Sequence, residues 1–215
     1  MERILRSGSE SVLYDPERVP APDVDWFDPD RWERDNAVQQ RFGGRGEAMA
    51  VAGPFGAAVL KGYRRGGLIR HLVRKRYAWT GFDRARSVGE WRVLRMLFAA
   101  GLPVPEPLAA HVRRIGPVYE AALLTRQVEN ARPLNEVAAE FDAKRWHDVD
   151  ALIDRFAEAG LQHPDLNATN LLVTPDEQLW LVDFDRARLD DSPVDPAPMH
   201  ARLARSLAKL GIGRT

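Results

Sequence analysis

The chain has no cysteine, which excludes disulfides and thiolate metal sites and suits a reducing compartment. It has no apolar run of the roughly 18 to 20 residues that a membrane-spanning helix needs, and its first residues, MERILRSGSE, lack the apolar core of a secretory signal. The expected location is therefore the cytoplasm. Charge of neither sign is in excess: 31 Lys and Arg stand against 31 Asp and Glu, so no global attraction to nucleic acid or membrane follows, and only local patches remain to be considered. Internal repeats and low-complexity tracts are also missing. What is there is a chain of 215 residues, enough for one core or two closely packed lobes.

The densest chemistry lies between His163 and Asp185, HPDLNATNLLVTPDEQLWLVDFD. Leu171-Leu172-Val173 and Leu179-Trp180-Leu181-Val182 are apolar, β-prone runs, and the Thr174-Pro175-Asp176-Glu177 between them is turn chemistry, so they read as an antiparallel hairpin. A hairpin returns its second strand to the end where the first began. Asn170 and Asp183 flank the strands on the outside, so pairing sets them side by side, with Asp165 in the loop just before. Three hard-oxygen groups suit Mg²⁺, which takes one or two carboxylates from the protein and leaves its other positions to water and phosphate. In phosphoryl transfer the protein holds metal and phosphates while one Asp accepts the proton of the attacking hydroxyl. Asp165 is the expected base; Asn170 and Asp183 are the expected metal ligands. Taken singly, each reads equally well as a turn former or a strand cap. The order His-x-Asp, Asn, Asp-Phe-x resembles the catalytic core of the protein-kinase-like superfamily.

Upstream, residues 14–35 are rich in Pro and acids, with Trp26, Phe27 and Trp32 interspersed, and read as an irregular arm docking through its aromatics. A glycine loop follows, with Gly43, Gly44 and Gly46, then strand, turn and strand ending at Lys61. Glycines let the backbone approach phosphate, and Lys61 at a strand end reaches the same phosphates; an ordinary turn and a surface lysine are the alternative. From Gly62 to Arg86 the chain is strongly basic (Arg64, Arg65, Arg70, Arg74, Lys75, Arg76, Arg84 and Arg86 against Asp83 alone), with Tyr63, Tyr77 and Trp79 interleaved. It is a candidate surface for a polyanion or an anionic membrane, or else a solvated face. Ser87–Phe98 reads as a helix. Ser87 and Glu90 have capping-box spacing, yet Glu90 shares a face with Leu94 and Leu97, so a buried carboxylate in need of a cation is expected there, and Lys61 is the partner named. Residues 118–128 read as a strand leading into a connector, Trp146 to Phe156 as a helix capped at Gly160, and Met199, Leu203, Leu207 and Leu210 as one face of a last helix closed by Gly211. Only 30 residues follow Asp185, leaving little room for a protein-substrate platform. A small-molecule or glycolipid acceptor is expected.

Gly44-Arg45-Gly46, Val59-Leu60-Lys61-Gly62-Tyr63-Arg64-Arg65-Gly66-Gly67, Arg86-Ser87-x-x-Glu90, Gly101-Leu102-Pro103-Val104-Pro105, His163-x-Asp165-Leu166-Asn167-Ala168 and Asp183-Phe184-Asp185 together resemble the 3-deoxy-D-manno-octulosonic acid (Kdo) kinase family, near the lipopolysaccharide core heptose kinases. The resemblance implies an α+β, bilobal protein-kinase-like fold: a small antiparallel-sheet N-lobe and a mainly helical, shortened C-lobe. Residues 1–40 would be an N-terminal arm, 41–127 the N-lobe and 128–215 the C-lobe. It implies ATP and Mg²⁺ as cofactors, and transfer of the γ-phosphate to the 4-hydroxyl of Kdo on a lipid A precursor. The work would be done at the cytoplasmic face of the inner membrane, met through the basic 64–86 segment. In that family's terms Asp165 is the base, Asn170 and Asp183 hold metal, Lys61 and Glu90 position phosphates, and Gly43, Gly44 and Gly46 line them. Lys61, Pro164 and Thr169 depart from the family pattern, where Arg, a small residue and His are expected. A related heptose or other small-molecule phosphotransferase, and a non-catalytic glycolipid-binding module, are the alternatives; nucleic-acid binding has only the charge of 64–86 in its favour.

Overall fold

The computed structural model describes residues 1–42, 48–63 and 77–214. The glycines Gly43, Gly44 and Gly46 and the basic stretch 64–76 lie outside the described residues. Contacts divide the chain into two compact units, Met1–Arg92 with Glu106–Gln127, and Val93–Pro105 with Val128–Thr215.

The first unit is built on an antiparallel sheet. β1 (Arg3–Ser7) and β2 (Glu10–Tyr14) form a hairpin, followed by a 3-10 turn (Val24–Phe27), α1 (Pro29–Arg34), β3 (Val38–Phe42), β4 (Ala48–Gly53), β5 (Gly56–Gly62), β6 (Tyr77–Ala78), the start of α2 (Arg86–Ala99), which from Val93 on belongs to the second unit, β7 (Pro107–Ile115) and β8 (Val118–Arg126). The strand order is β1-β2-β7-β8-β5-β4-β3, with β6 also on β8. β2 finds its partner β7 nearly a hundred residues downstream, Glu10 opposite Arg113. The acid- and Pro-rich stretch is where α1 starts: Asp28 caps it by accepting from the Asp30 amide, and Pro29 occupies the first turn, where a missing N–H costs nothing. Its aromatics do the packing. Trp26, Phe27 and Trp32 are buried against Val12, Met49, Val51, Leu60, Leu108 and Leu124 of the sheet, and the Trp32 indole N–H donates to the Trp26 carbonyl at 2.7 Å. β8 runs through Arg126, and the Gln127 amide then donates to Ala57 O at 3.1 Å.

The second unit contains β9 (Arg132–Pro133), α3 (Leu134–Val137), α4 (Ala143–Glu158), β10 (Leu161–Gln162), β11 (Leu171–Val173), β12 (Leu179–Leu181), β13 (Arg188–Leu189) and α5 (Ala197–Lys209). α4 starts at Asp142, whose carboxylate accepts from the Arg145 amide at 2.8 Å, and buries Trp146, Val149, Leu152, Ile153 and Phe156 on one face. It stops at Gly160, which has φ +83°; a Cβ there would collide with the Asp190 carbonyl, so only glycine admits both the left-handed turn and the passing chain. β11 pairs with β12 on one side and with β9 on the other, and β10 pairs with β13. α5 buries Met199, Leu203 and Leu207. Leu210, expected on the same face, is exposed, because the helix ends at Lys209 and Gly211 (φ +70°) turns the chain away before the face can repeat. No helix among the described residues is long and apolar enough to cross a membrane.

Candidate active site

In the second unit the hairpin register is Leu171 opposite Leu181, Leu172 opposite Trp180 and Val173 opposite Leu179. One further rung follows, the Val182 amide donating to Asn170 O at 2.9 Å. That rung sets Asn170 beside the Val182–Asp183 corner. Asp183 has φ +66°, a left-handed conformation that costs a non-glycine residue about 1–3 kcal/mol. The reversal leaves Asp183 exposed and turns Phe184 inward, its ring centroid 6.5 Å from Phe156 and 5.5 Å from His163.

The loop before β11 is held by its own side chains. The Asp165 carbonyl accepts from Asn167 Nδ2 at 3.0 Å and from Asn170 Nδ2 at 3.2 Å, while Asn167 Oδ1 accepts from the Thr169 amide at 2.8 Å and its hydroxyl at 2.6 Å. Asn167 is thus a loop organiser, and the Asp165 carboxylate stands exposed. It faces Arg186, Nε to Oδ2 3.5 Å. From outside the loop, Ser206 Oγ on α5 accepts from the Ala168 amide at 3.1 Å. His163 is 2% exposed. Burial pushes its pKa below 6.5, against the upward pull of the Asp183 carboxylate, the Val182 backbone and Asp165. The buried imidazole packs at a tilt against Phe184.

Asn170 directs its amide nitrogen to Asp165 O, which leaves its amide oxygen as an acceptor, and the Val182 rung brings the backbone of Asp183 close to Asn170. An amide oxygen and a carboxylate are a donor set that Mg²⁺ accepts while keeping positions for water and phosphate. Asn170 and Asp183 fit that ion.

In the first unit β5 presents Lys61, opposite Ala48 on β4 and Leu123 on β8. Its Nζ lies 3.0 Å from Glu90 Oε1 and 2.9 Å from Oε2. Glu90, on α2, is 3% exposed, and a buried carboxylate persists only when donors satisfy it. A second donor is the Tyr63 hydroxyl, also bonded to Oε2. The Tyr63 ring carries two cations on it, Lys61 Nζ at 5.1 Å from the centroid and the Arg86 guanidinium at 5.7 Å. The capping-box alternative is not used: Ser87 Oγ donates to His111 O on β7 at 2.9 Å, and Glu90 turns to Lys61. The bond of Tyr63 to Glu90 and the place of Arg186 beside Asp165 escaped the sequence reading. The signal for Tyr63 was the strand period, which puts residues two apart on one face.

The structure therefore brings together Lys61 with Glu90, and Asp165 with Asn170 and Asp183, as two constellations in separate units, while Gly43, Gly44 and Gly46 are outside the described residues. Residues 29–211 match the model of the lipopolysaccharide kinase (Kdo/WaaP) family. The chain is 44% identical over 210 residues to the 3-deoxy-D-manno-octulosonic acid kinase of Xanthomonas campestris pv. campestris (strain B100), covering 97% of this chain and 84% of that protein. It is 42% identical over 203 residues to the protein of the same name from Xylella fastidiosa (strain M12), covering 93% and 81%. Among solved structures, the Rio2 kinase-ADP/Mg²⁺-phosphoaspartate complex from Chaetomium thermophilum aligns with a TM-score of 0.54 at 21% identity, over 83% of this chain and 57% of that one. That likeness is one of fold, and the fold is protein-kinase-like. The family model spans most of the chain, and the chain belongs to the lipopolysaccharide kinase (Kdo/WaaP) family.

Proposed function

We propose that the chain transfers the γ-phosphate of ATP to the 4-hydroxyl of Kdo on a lipid A precursor. Its membership of a kinase family and its 44% identity to a Kdo kinase over 97% of the chain support this reading. The observation that carries the chemistry is the extra rung from Val182 to Asn170, which supports a metal corner next to the loop of Asp165. In the reaction Asp165 accepts the hydroxyl proton as the acceptor oxygen bonds to the γ-phosphorus. The bond to the β,γ-bridging oxygen breaks, and ADP leaves. Asn170 and Asp183 would hold Mg²⁺, which neutralises charge on the phosphates. Lys61, fixed by Glu90 and Tyr63, positions the nucleotide phosphates, with Gly43, Gly44 and Gly46 as further cofactor-binding residues. In this reading the unit of Met1–Arg92 and Glu106–Gln127 positions the nucleotide, the expected arm of 1–40 being part of its sheet and core, and the unit of Val93–Pro105 and Val128–Thr215 carries the base. The basic 64–86 segment meets the anionic cytoplasmic face of the inner membrane, where the acceptor resides.

The test is incubation with γ-labelled ATP, Mg²⁺ and a Kdo-bearing lipid A precursor, with the phosphorylated position read by NMR of the released sugar. Label on the 4-hydroxyl is expected. Label on another hydroxyl would overturn the regiochemistry, and transfer only to heptose or another acceptor would overturn the substrate.

A further inference from the structure

The carboxylate of Asp165 has one cationic partner among the described residues, Arg186, at 3.5 Å. Topology imposes the proximity. β10 pairs antiparallel with β13, Gln162 opposite Arg188, and the rung is reinforced by Gln162 Nε2 donating to Asp190 Oδ2 at 2.5 Å and the Asp190 amide donating to Gly160 O at 2.9 Å. The chain leaves β10 directly into 163–165 and reaches β13 directly after 185–187, a turn closed by the Ala187 amide donating to Phe184 O at 3.0 Å. Neighbouring strand ends bring the backbones of these two short segments close, and the side chains of Asp165 and Arg186 meet there.

Stability does not account for the pair. The two side chains are 54% and 66% exposed, and ion pairs that open to water are weak and easily exchanged. The electrostatics of the reaction do account for it. A hydroxyl reaching Asp165 comes up to a stretch that also carries Asp183 and Asp185. The acceptor named for the relatives is itself an acid. A carboxylate brought next to carboxylates is repelled unless a cation meets it, and the planar guanidinium fork matches a carboxylate with two parallel hydrogen bonds.

We propose that Arg186 is the acceptor clamp: it pairs with Asp165 in the free protein and transfers its guanidinium to the carboxylate of the incoming sugar acid, leaving Asp165 open to the hydroxyl. The inference rests on the Kdo-phosphorylating reading above and adds the contact that selects an acidic sugar. Arg186 is a specificity residue, with the base elsewhere.

The experiment is steady-state transfer by wild type, Arg186→Gln and Arg186→Lys to the Kdo-bearing acceptor and to its analogue in which the sugar carboxylate is an amide. Losing a charge-assisted bidentate contact raises KM for the acid acceptor about 10- to 100-fold in Arg186→Gln, with KM for ATP unchanged and partial recovery in Arg186→Lys. Wild type loses a similar factor on the amide, and Arg186→Gln no longer distinguishes the two acceptors. A variant that keeps the wild-type preference for the carboxylate, or that lowers kcat on both acceptors with KM unchanged, overturns the clamp while leaving the proposed reaction standing. Wild type that transfers to neither acceptor overturns the reaction and the clamp with it.

Discussion

Glu90 illustrates what a single buried charge demands of its surroundings. Its carboxylate receives Lys61 and the Tyr63 hydroxyl, and a hydrogen bond to a buried charged group contributes about 1.5–3 kcal/mol. Glu90→Gln is expected to lower kcat/KM by about a hundredfold by releasing Lys61, and Tyr63→Phe by about tenfold. The double variant should be no slower than Glu90→Gln alone if Tyr63 acts through Glu90, whereas multiplied losses in the kinetic cycle would show an independent role. His111 gives a second prediction at this scale. Burial, the largest influence, lowers its pKa below 6.5, although Glu10 Oε2, 2.9 Å from Nε2, pulls it upward, as does Glu120, while Arg113 adds to the lowering. In the unfolded chain the imidazole titrates near 6.5, so on acidification the unfolded state takes up the proton first. The contribution is complete above pH 6.5 and is lost as pH falls from there through the lower folded value; buried His163 acts with the same sign. The melting temperature should stay level above pH 7 and fall below about 6.5, less steeply in His111→Asn. A midpoint indifferent to pH down to about 5 would contradict this.

At the scale of elements, α5 holds the loop before β11 through a hydrogen bond, Ser206 Oγ accepting from the Ala168 amide. Ala168 is fully buried, so its N–H has no water to turn to. Ser206→Ala is expected to reduce kcat about tenfold with little change in either KM, and Ser206→Thr to restore most of it; equal activity in all three proteins would remove α5 from the account. Elements of this kind differ in how far the sequence reveals them. The β11–β12 hairpin was legible because an apolar run, a turn tetrapeptide and a second apolar run are all local. α4 was legible from the spacing of Trp146, Val149, Ile153 and Phe156, and the Lys61–Glu90 pair from a carboxylate on an apolar helix face. Ser206 and Tyr63 were not, since their partners lie 38 and 27 residues away and nothing local marks a hydroxyl that will meet a distant amide or carboxylate. The β1–β2 hairpin stayed hidden for the same reason: its sheet partner β7 is far along the chain, and its first strand is exposed throughout, without the alternation that reveals a half-buried strand.

For the molecule as a whole, a neutral chain without cysteine or an apolar span concentrates its chemistry in two constellations, the Lys61–Glu90–Tyr63 group in one compact unit and the Asp165–Asn170–Asp183 group in the other. The family match extends over 29–211 and so includes both. The central claim is that Asp165 is the base of a phosphoryl transfer to a Kdo-bearing glycolipid. The most direct test is single-turnover transfer of labelled γ-phosphate to that acceptor by wild type and Asp165→Asn, with nucleotide binding followed in parallel. The account predicts unimpaired binding of ATP with Mg²⁺ and a rate reduced about 10²- to 10⁴-fold in the variant. Transfer at close to the wild-type rate by Asp165→Asn would contradict it.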